Sequence, residues 1–321
     1  MTEKIKLREV DTLEITTLVD NTVDMQLENC DNVRRSPRIR NGSLAPPLFA
    51  EHGFSALLKT TVDGESHTIL LDTGLGETTL LENADRLGLD FGEIEEVVIS
   101  HGHIDHTRAL IPALRRMRPG IPITIHPHAF RHRKLKIPDG TEINMPPPVA
   151  AEIEATGAKI VRSDGPSAIA GGTILVTGQV PRVTDFEFGL PVQYAVVDGI
   201  EEPDPLTHDD QALVVAVKGK GLAIVSGCAH AGIINTIRYA RGLTGIDKVH
   251  AVAGGFHLGG PLFESIIEPT VEAVEGFAPD FLLPTHCTGW KAIHELARRM
   301  PEAYIQNSVG TTLTLGSLDG V

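Results

Sequence analysis

Val97-Val98-Ile99-Ser100-His101-Gly102-His103-Ile104-Asp105-His106 is the stretch on which the reading of this chain turns. Three β-branched apolar residues predict a strand, Gly102 predicts a tight turn, and helical spacing resumes near Thr107. His101, His103, Asp105 and His106 therefore collect at one strand's end. Neutral imidazole and carboxylate are borderline ligands suited to zinc, iron or manganese, and four of them on one short loop can serve two adjacent ions. With 14 histidines among 321 residues, chance would set three of them and an aspartate at these offsets in about one sequence in a thousand. The competing reading is a polar loop in which Asp105 caps the next helix and the histidines are solvated.

A metal centre needs more ligands than one loop supplies, so other strand exits should carry them. Three do. Leu222–Val225 runs into Ser226-Gly227-Cys228-Ala229-His230, Val249–Ala253 into Gly254-Gly255-Phe256-His257, and Phe281–Leu283 into Pro284-Thr285-His286-Cys287. Core histidines have no reason to prefer strand exits, so His230 and His286 are expected as ligands, and His257 as either a ligand or packing. Cys228 could bridge two metals as a thiolate or be a small buried residue, and Cys287 reads as packing or a neighbour of the ligands. Asp72, in Asp72-Thr73-Gly74 after Ile69-Leu70-Leu71, could hold a ligand histidine in its tautomer or simply shape a turn; Asp20 and Asn21 invite the same two readings.

Outside these exits, strands are expected at Glu14–Val19, Ser55–Thr61, Thr68–Leu71, Ile123–Ile125, Thr173–Val176 and Ala212–Val217. Helices are expected at Glu77–Leu87, Thr107–Arg116, Val149–Thr156, Gly232–Gly242, Phe263–Phe277 and Thr288–Arg299. This order suits an αββα sandwich or a doubly wound parallel sheet, and cannot choose between them. Asn29–Pro47 and Arg131–Pro148 read as exposed insertions, proline keeping the second from regular structure.

A hydrophobic content of 41% and a mean hydropathy of +0.02 place the chain among ordinary globular proteins, and no linker divides it, so one domain is expected. A net charge of −14 disfavours a general nucleic-acid binder. No apolar run is long enough for a bilayer and Met1-Thr2-Glu3-Lys4 lacks a leader's apolar stretch, so no membrane partner and a cytoplasmic location are expected. Cys30, Cys228 and Cys287 are widely spaced without a CxxC pair, which predicts reduced thiols.

The His-x-His-x-Asp-His pattern at 101–106, with its strand and the upstream Asp72-Thr73-Gly74, resembles the metallo-β-lactamase superfamily. Leu18-Val19-Asp20-Asn21, the run from Ser226 to Thr236 and Pro284-Thr285-His286-Cys287-Thr288-Gly289 are similar to its dihydropteroate-synthase-like subgroup. The resemblance implies a four-layer αββα sandwich with a metal site at one edge. It also implies a reaction joining a dihydropterin to a ribofuranosylaminobenzene phosphate with loss of pyrophosphate. Where many superfamily hydrolases carry a further histidine after a middle strand, this chain reads Thr177-Gly178-Gln179-Val180-Pro181-Arg182. The first metal position must then recruit His230 or Cys228, or stay open.

The chemistry expected of such a site is Lewis-acid activation of water by one or two divalent transition metals, zinc foremost and iron or manganese as alternatives, with Asp105 as ligand and orienting base. Gln179 and Arg182 are expected substrate contacts, and Arg108 and Arg131–Lys136 could meet a phosphorylated substrate or be solvated. The leading expectation is a metal-dependent hydrolase or pterin-type transferase acting on a small metabolite. The alternatives are a phosphodiesterase or nuclease, and a metal-binding sensor or redox scaffold without turnover.

Overall fold

Alternation of apolar side chains along the strands builds the layers. In Ala212–Val217 and Gly221–Ser226, Leu213, Val215, Ala223 and Val225 face one side while Val214, Ala216, Leu222 and Ile224 face the other. In the computed structural model, which describes residues 4–317, the first set meets Leu13, Ile15, Leu58, Ile69 and Leu71 of a second sheet. The second set packs on helices Ile233–Thr244, Glu264–Phe277 and Trp290–Arg299 through Ile237, Val271 and Leu296. Beyond the second sheet, Leu70, Val97 and Ile123 pack on Leu80, Leu110 and Ile153 of three further helices. The result is the expected αββα sandwich, and the doubly wound alternative falls away because helices cover only the outer face of each sheet. Met1–Glu3, part of the stretch behind the leader expectation, lie outside the described residues.

One sheet has eight strands, in the order Lys159–Arg162, Pro122–Ile125, Glu96–Val98, Glu65–Leu71, Ser55–Val62, Thr12–Val19, Thr312–Gly316 and Val33–Arg34. The other has six: Ser167–Ile169, Ile174–Val176, Ala212–Val217, Gly221–Ser226, Val249–Gly255 and Phe281–Thr285. Glu65–Leu71, Glu96–Val98 and Pro122–Ile125 run parallel, as do the last three strands of the six-stranded sheet. Parallel neighbours put their carboxyl ends on one edge, so the histidine-bearing exits of both sheets come together there. No helix among the described residues is long and apolar enough to cross a membrane.

Several expectations need correction. Arg131–Pro148 is not irregular: His132–Lys136 and Glu142–Met145 pair as an antiparallel hairpin and join Gln193–Val197 and Ile200–Pro203 in a third sheet. Its prolines fall in the turn, at Pro138, and after the second strand, at Pro146, Pro147 and Pro148, where no ladder hydrogen bond is required of them. The helix expected over Thr107–Arg116 is two shorter ones, Ile104–Thr107 and Leu110–Leu114, and the first begins early enough to place Asp105 in its opening turn. Thr312–Gly316 escaped notice although its Thr-Leu alternation is a strand signal.

The hairpin's Arg133 is fully buried rather than available to a substrate. Its Nη1 and Nη2 donate to Asp209 at 2.9 and 2.5 Å and its Nε to Asp204 at 2.9 Å. Asp209 Oδ2 also accepts the Gly102 amide at 2.8 Å, so this ion pair ties the third sheet to the histidine loop. Truncating one member of a buried ion pair leaves charge without a partner. Arg133→Ala is expected to lower the unfolding free energy by about 3–5 kcal/mol, read from the denaturant midpoint; a surface-like change of under about 1 kcal/mol would contradict this role.

Candidate metal centre

The centre is built outward from Asp72, a buried residue at the end of Glu65–Leu71 with left-handed backbone, φ +57°. Its Oδ1 accepts the Ser100 amide at 2.7 Å, while Oδ2 accepts the Ser100 hydroxyl at 2.6 Å and His106 Nδ1 at 2.7 Å. Because the Ser100 hydroxyl gives its proton to Asp72, Ser100 Oγ is an acceptor toward His101 Nδ1 at 2.9 Å. One carboxylate therefore orients two imidazoles, leaving the Nε2 of His101, and that of His106 once a cation displaces its proton, to offer lone pairs. His103 takes the opposite tautomer. Gln193 donates its amide to the Asp204 carbonyl and to Thr207, so its Oε1 accepts His103 Nε2 at 2.5 Å and Nδ1 is left free.

The six-stranded sheet supplies the facing donor groups. His101, Cys228 and His230 form one group, and Asp105, His106, Cys228 and His286 a second, the donor atoms within each lying within 4.8 Å of one another. His106 Nε2 stands 3.1 Å from Cys228 Sγ, and His286 Nε2 3.2 Å from Asp105 Oδ2 without hydrogen-bond geometry. The His103 ring centroid is 4.5 Å from that of His101 and 4.7 Å from that of His230. Two positions sharing the Cys228 sulfur are thus laid out. Gly227 makes this approach possible, since a β-carbon there would sit 2.1 Å from Ser100 Oγ and 2.8 Å from Asp72 Oδ2.

His101 Nε2, both nitrogens of His230 and both nitrogens of His286 are buried without a hydrogen-bond partner. Leaving buried polar atoms unpaired costs about 1–3 kcal/mol each, and five at one point fit a bound cation better than a packed core. The mixed imidazole, carboxylate and thiolate donor set suits zinc or iron.

Burial drives His101 and His230 well below the usual imidazole range, helped by neighbouring imidazoles, and brings His103 down to about 4. These histidines are neutral, as ligation requires. Burial opposes charge on His106 too, but Asp105 and Asp72 outweigh it and lift the group to about 9. For Asp105, burial is likewise outweighed by His106 and His286, which keep the carboxylate ionised. Burial raises the Cys228 thiol. Asp210, buried with Oδ1 unpaired and Oδ2 accepting the Ala231 amide at 2.8 Å, is pushed by burial up to about 6.

Of the expected site residues, His101, His103, Asp105, His106, His230, His286 and Cys228 come together, Asp72 stands behind them, and His257 joins Cys228 and Cys287 in a third group. Asp20 accepts the His286 amide at 2.8 Å and Asn21 donates to the His286 carbonyl at 2.9 Å, so both shape that turn. Gln179 and Arg182 stay outside these groups. Gln179 is exposed and bonded to His208, and the Arg182 guanidinium reaches the carbonyls of Val180 and Leu206. Arg108 pairs with Glu77, and Lys134 and Lys136 with Glu142 and Glu201.

Sequence reasoning missed Gln193, Asp209, Asp210 and Gln211, whose side-chain amide holds the Ile99 carbonyl at 2.8 Å, and His52, whose Nε2 lies 3.9 Å from Asp105. The run His208-Asp209-Asp210-Gln211 before a strong strand was the available signal, since consecutive acids entering an apolar strand seldom lack partners.

Residues 55–243 match the model of the metallo-β-lactamase superfamily. A 7,8-dihydropterin-6-methyl-4-(β-D-ribofuranosyl)-aminobenzene-5'-phosphate synthase of Methanocaldococcus jannaschii is 30% identical over 259 residues, covering 77% of this chain and 84% of that protein. An uncharacterized protein of the same organism is 30% identical over 257 residues, covering 78% and 89%. A crystal structure of Tm1679, described as a metal-dependent hydrolase of the β-lactamase superfamily, superposes with a TM-score of 0.72 at 23% identity, over 95% of this chain and all of that one. The chain belongs to the metallo-β-lactamase superfamily and, within it, to the subgroup of that pterin-linked synthase.

Asp72→Asn should keep the fold but weaken transition-metal binding about 10- to 100-fold, as loss of a ligand-orienting carboxylate does; competition with a chelator measures this, and an unchanged affinity would remove Asp72 from the centre. In the metal-free protein, the raised His106 group stabilises the fold fully below its unfolded value near 6.5, and that contribution is lost as pH rises through about 9. Denaturant midpoints with chelator present should fall across that window in the wild type and fall less in His106→Gln.

Proposed function

We propose that this chain is a metal-dependent enzyme acting on a small phosphorylated metabolite, and that the reaction to test first joins a dihydropterin to a ribofuranosylaminobenzene phosphate with release of pyrophosphate. The observation that carries metal dependence is the set of buried imidazole nitrogens without partners beside Asp105 and Cys228. The pterin reading is supported by the 30% identity to the synthase of M. jannaschii.

His101, His103 and His230 would hold one ion, and Asp105, His106 and His286 the other, with Cys228 shared. A divalent transition metal bound there, zinc foremost and iron or manganese next, would supply Lewis acidity and would offset the charge of a departing diphosphate. Asp105, held ionised, orients the reacting group. Asp210, at about 6 and bonded to the Ala231 amide beside His230, can hold and release a proton near neutral pH. A narrow pocket lined by Phe188, Phe256 and Phe263 reaches His230 and His257. Gln179 and Arg182 are offered as polar contacts on the loop after Ile174–Val176.

A nuclease reading loses support because the basic hairpin is neutralised internally, Arg133 by Asp204 and Asp209 and its lysines by glutamates. Three unpaired cysteines favour a reducing, cytoplasmic setting.

Protein purified without added metal should carry about one or two equivalents of transition metal, with less in Asp105→Ala and His286→Ala. Supplied with a dihydropterin methyl diphosphate and the ribofuranosylaminobenzene phosphate, the wild type should release pyrophosphate and form the coupled product. Hydrolysis of phosphodiesters or lactones with no coupling would replace transferase by hydrolase, and bound metal with no turnover would leave a sensor.

A further inference from the structure

We propose that Cys228, His257 and Cys287 form a further, thiolate-rich metal position, lying against the proposed centre and selective for a soft or borderline ion such as zinc over magnesium or manganese. The three residues leave neighbouring parallel strands of the six-stranded sheet, Gly221–Ser226, Val249–Gly255 and Phe281–Thr285. Their two sulfurs and one imidazole nitrogen all lie within 4.8 Å of one another. In tetrahedral zinc, with metal–sulfur bonds of about 2.3 Å, two sulfurs stand about 3.8 Å apart. Closing the site therefore needs side-chain adjustment of about 1 Å at most.

Two features of the backbone hold the three groups together. A β-carbon on Gly255 would sit 2.7 Å from Cys287 Sγ and 3.3 Å from Cys228 Cα, so only glycine leaves the sulfurs room to approach. His257 has left-handed backbone, φ +46°, uncommon outside glycine, and strain of this kind concentrates at ligand-binding points. Its Nδ1 is buried without a hydrogen-bond partner, and the Cys287 thiol, which also touches the Cys228 and His257 side chains, reaches the Cys228 carbonyl at 3.6 Å. Packing alone leaves the imidazole unsatisfied.

Thiolate donors favour zinc and iron over the hard ions that oxygen ligands prefer. Three protein ligands also leave a fourth position for water or substrate, and His257 lines the pocket between Phe188 and Phe263. The position uses none of the residues 101–106. Its occupancy is therefore separable from that of the proposed centre, although Cys228 is common to both.

The test is anaerobic loading with cobalt(II) under reductant, for the wild type, Cys287→Ser and His257→Gln, each also in an Asp105→Ala background. Cys287→Ser and His257→Gln should each lose about one equivalent of cobalt, and Cys287→Ser about half of the sulfur-to-cobalt charge-transfer absorption, in both backgrounds. Unchanged stoichiometry and absorption in these variants would overturn the proposal, whereas an unchanged Asp105→Ala protein would count only against the proposed centre. X-ray absorption on the cobalt-loaded wild type needs no variant. Two sulfurs on one ion support the position, and no ion with more than one sulfur, or a Cys228–Cys287 disulfide persisting under reductant, defeats it.

Discussion

The buried carboxylate of Asp72 is the constraint on which the rest of the centre depends. It is satisfied by three donors, the Ser100 amide, the Ser100 hydroxyl and His106 Nδ1. A buried charge so compensated is tolerable, and one without them would not be. Those bonds join the ends of Glu65–Leu71 and Glu96–Val98 and orient the imidazoles of His101 and His106. They also set how close the opposite sheet can come, because Gly227 packs directly on Ser100 and Asp72.

The two halves of the centre are stabilised differently. Histidines from the eight-stranded-sheet side have their second nitrogens committed to Ser100, Gln193 and Asp72, so they are oriented before any ligand arrives. His230 and His286, from the six-stranded-sheet side, have no such partners. Left-handed backbone at Ala229, His257 and His286 adds strain on that side, as it does at Asp72 on the other. A bound ion would therefore order the second half more than the first, and coupling of metal binding to local stability follows.

Around this core runs a ring of charge that an acidic protein must arrange with care. Asp209 serves both Arg133 and the Gly102 amide, Asp210 holds the Ala231 amide, and Glu187 accepts the amides of Ile234 and Asn235 at 2.8 and 2.9 Å at the start of the helix after His230. Each carboxylate fixes a backbone turn next to the candidate centre. The acidic residues nearest the centre thus act on loop geometry, and their charge is spent on amides rather than displayed to solvent.

The sequence by itself determined the strands that end at the centre, most of the residues gathered there and the layer class once the family resemblance was added. These are local properties: a period of two in Ala212–Val217, a turn at Gly102, a histidine at a strand exit. Only the tertiary structure decided that Arg133 is a buried clamp and not a substrate contact, that Gln193 sets the tautomer of His103 from 90 residues away, and that Cys287 stands with Cys228 and His257. Charge and residue type are written locally. Which groups are desolvated together, and so must pair, depends on how two sheets and a hairpin close on one another, and no window of sequence contains that information.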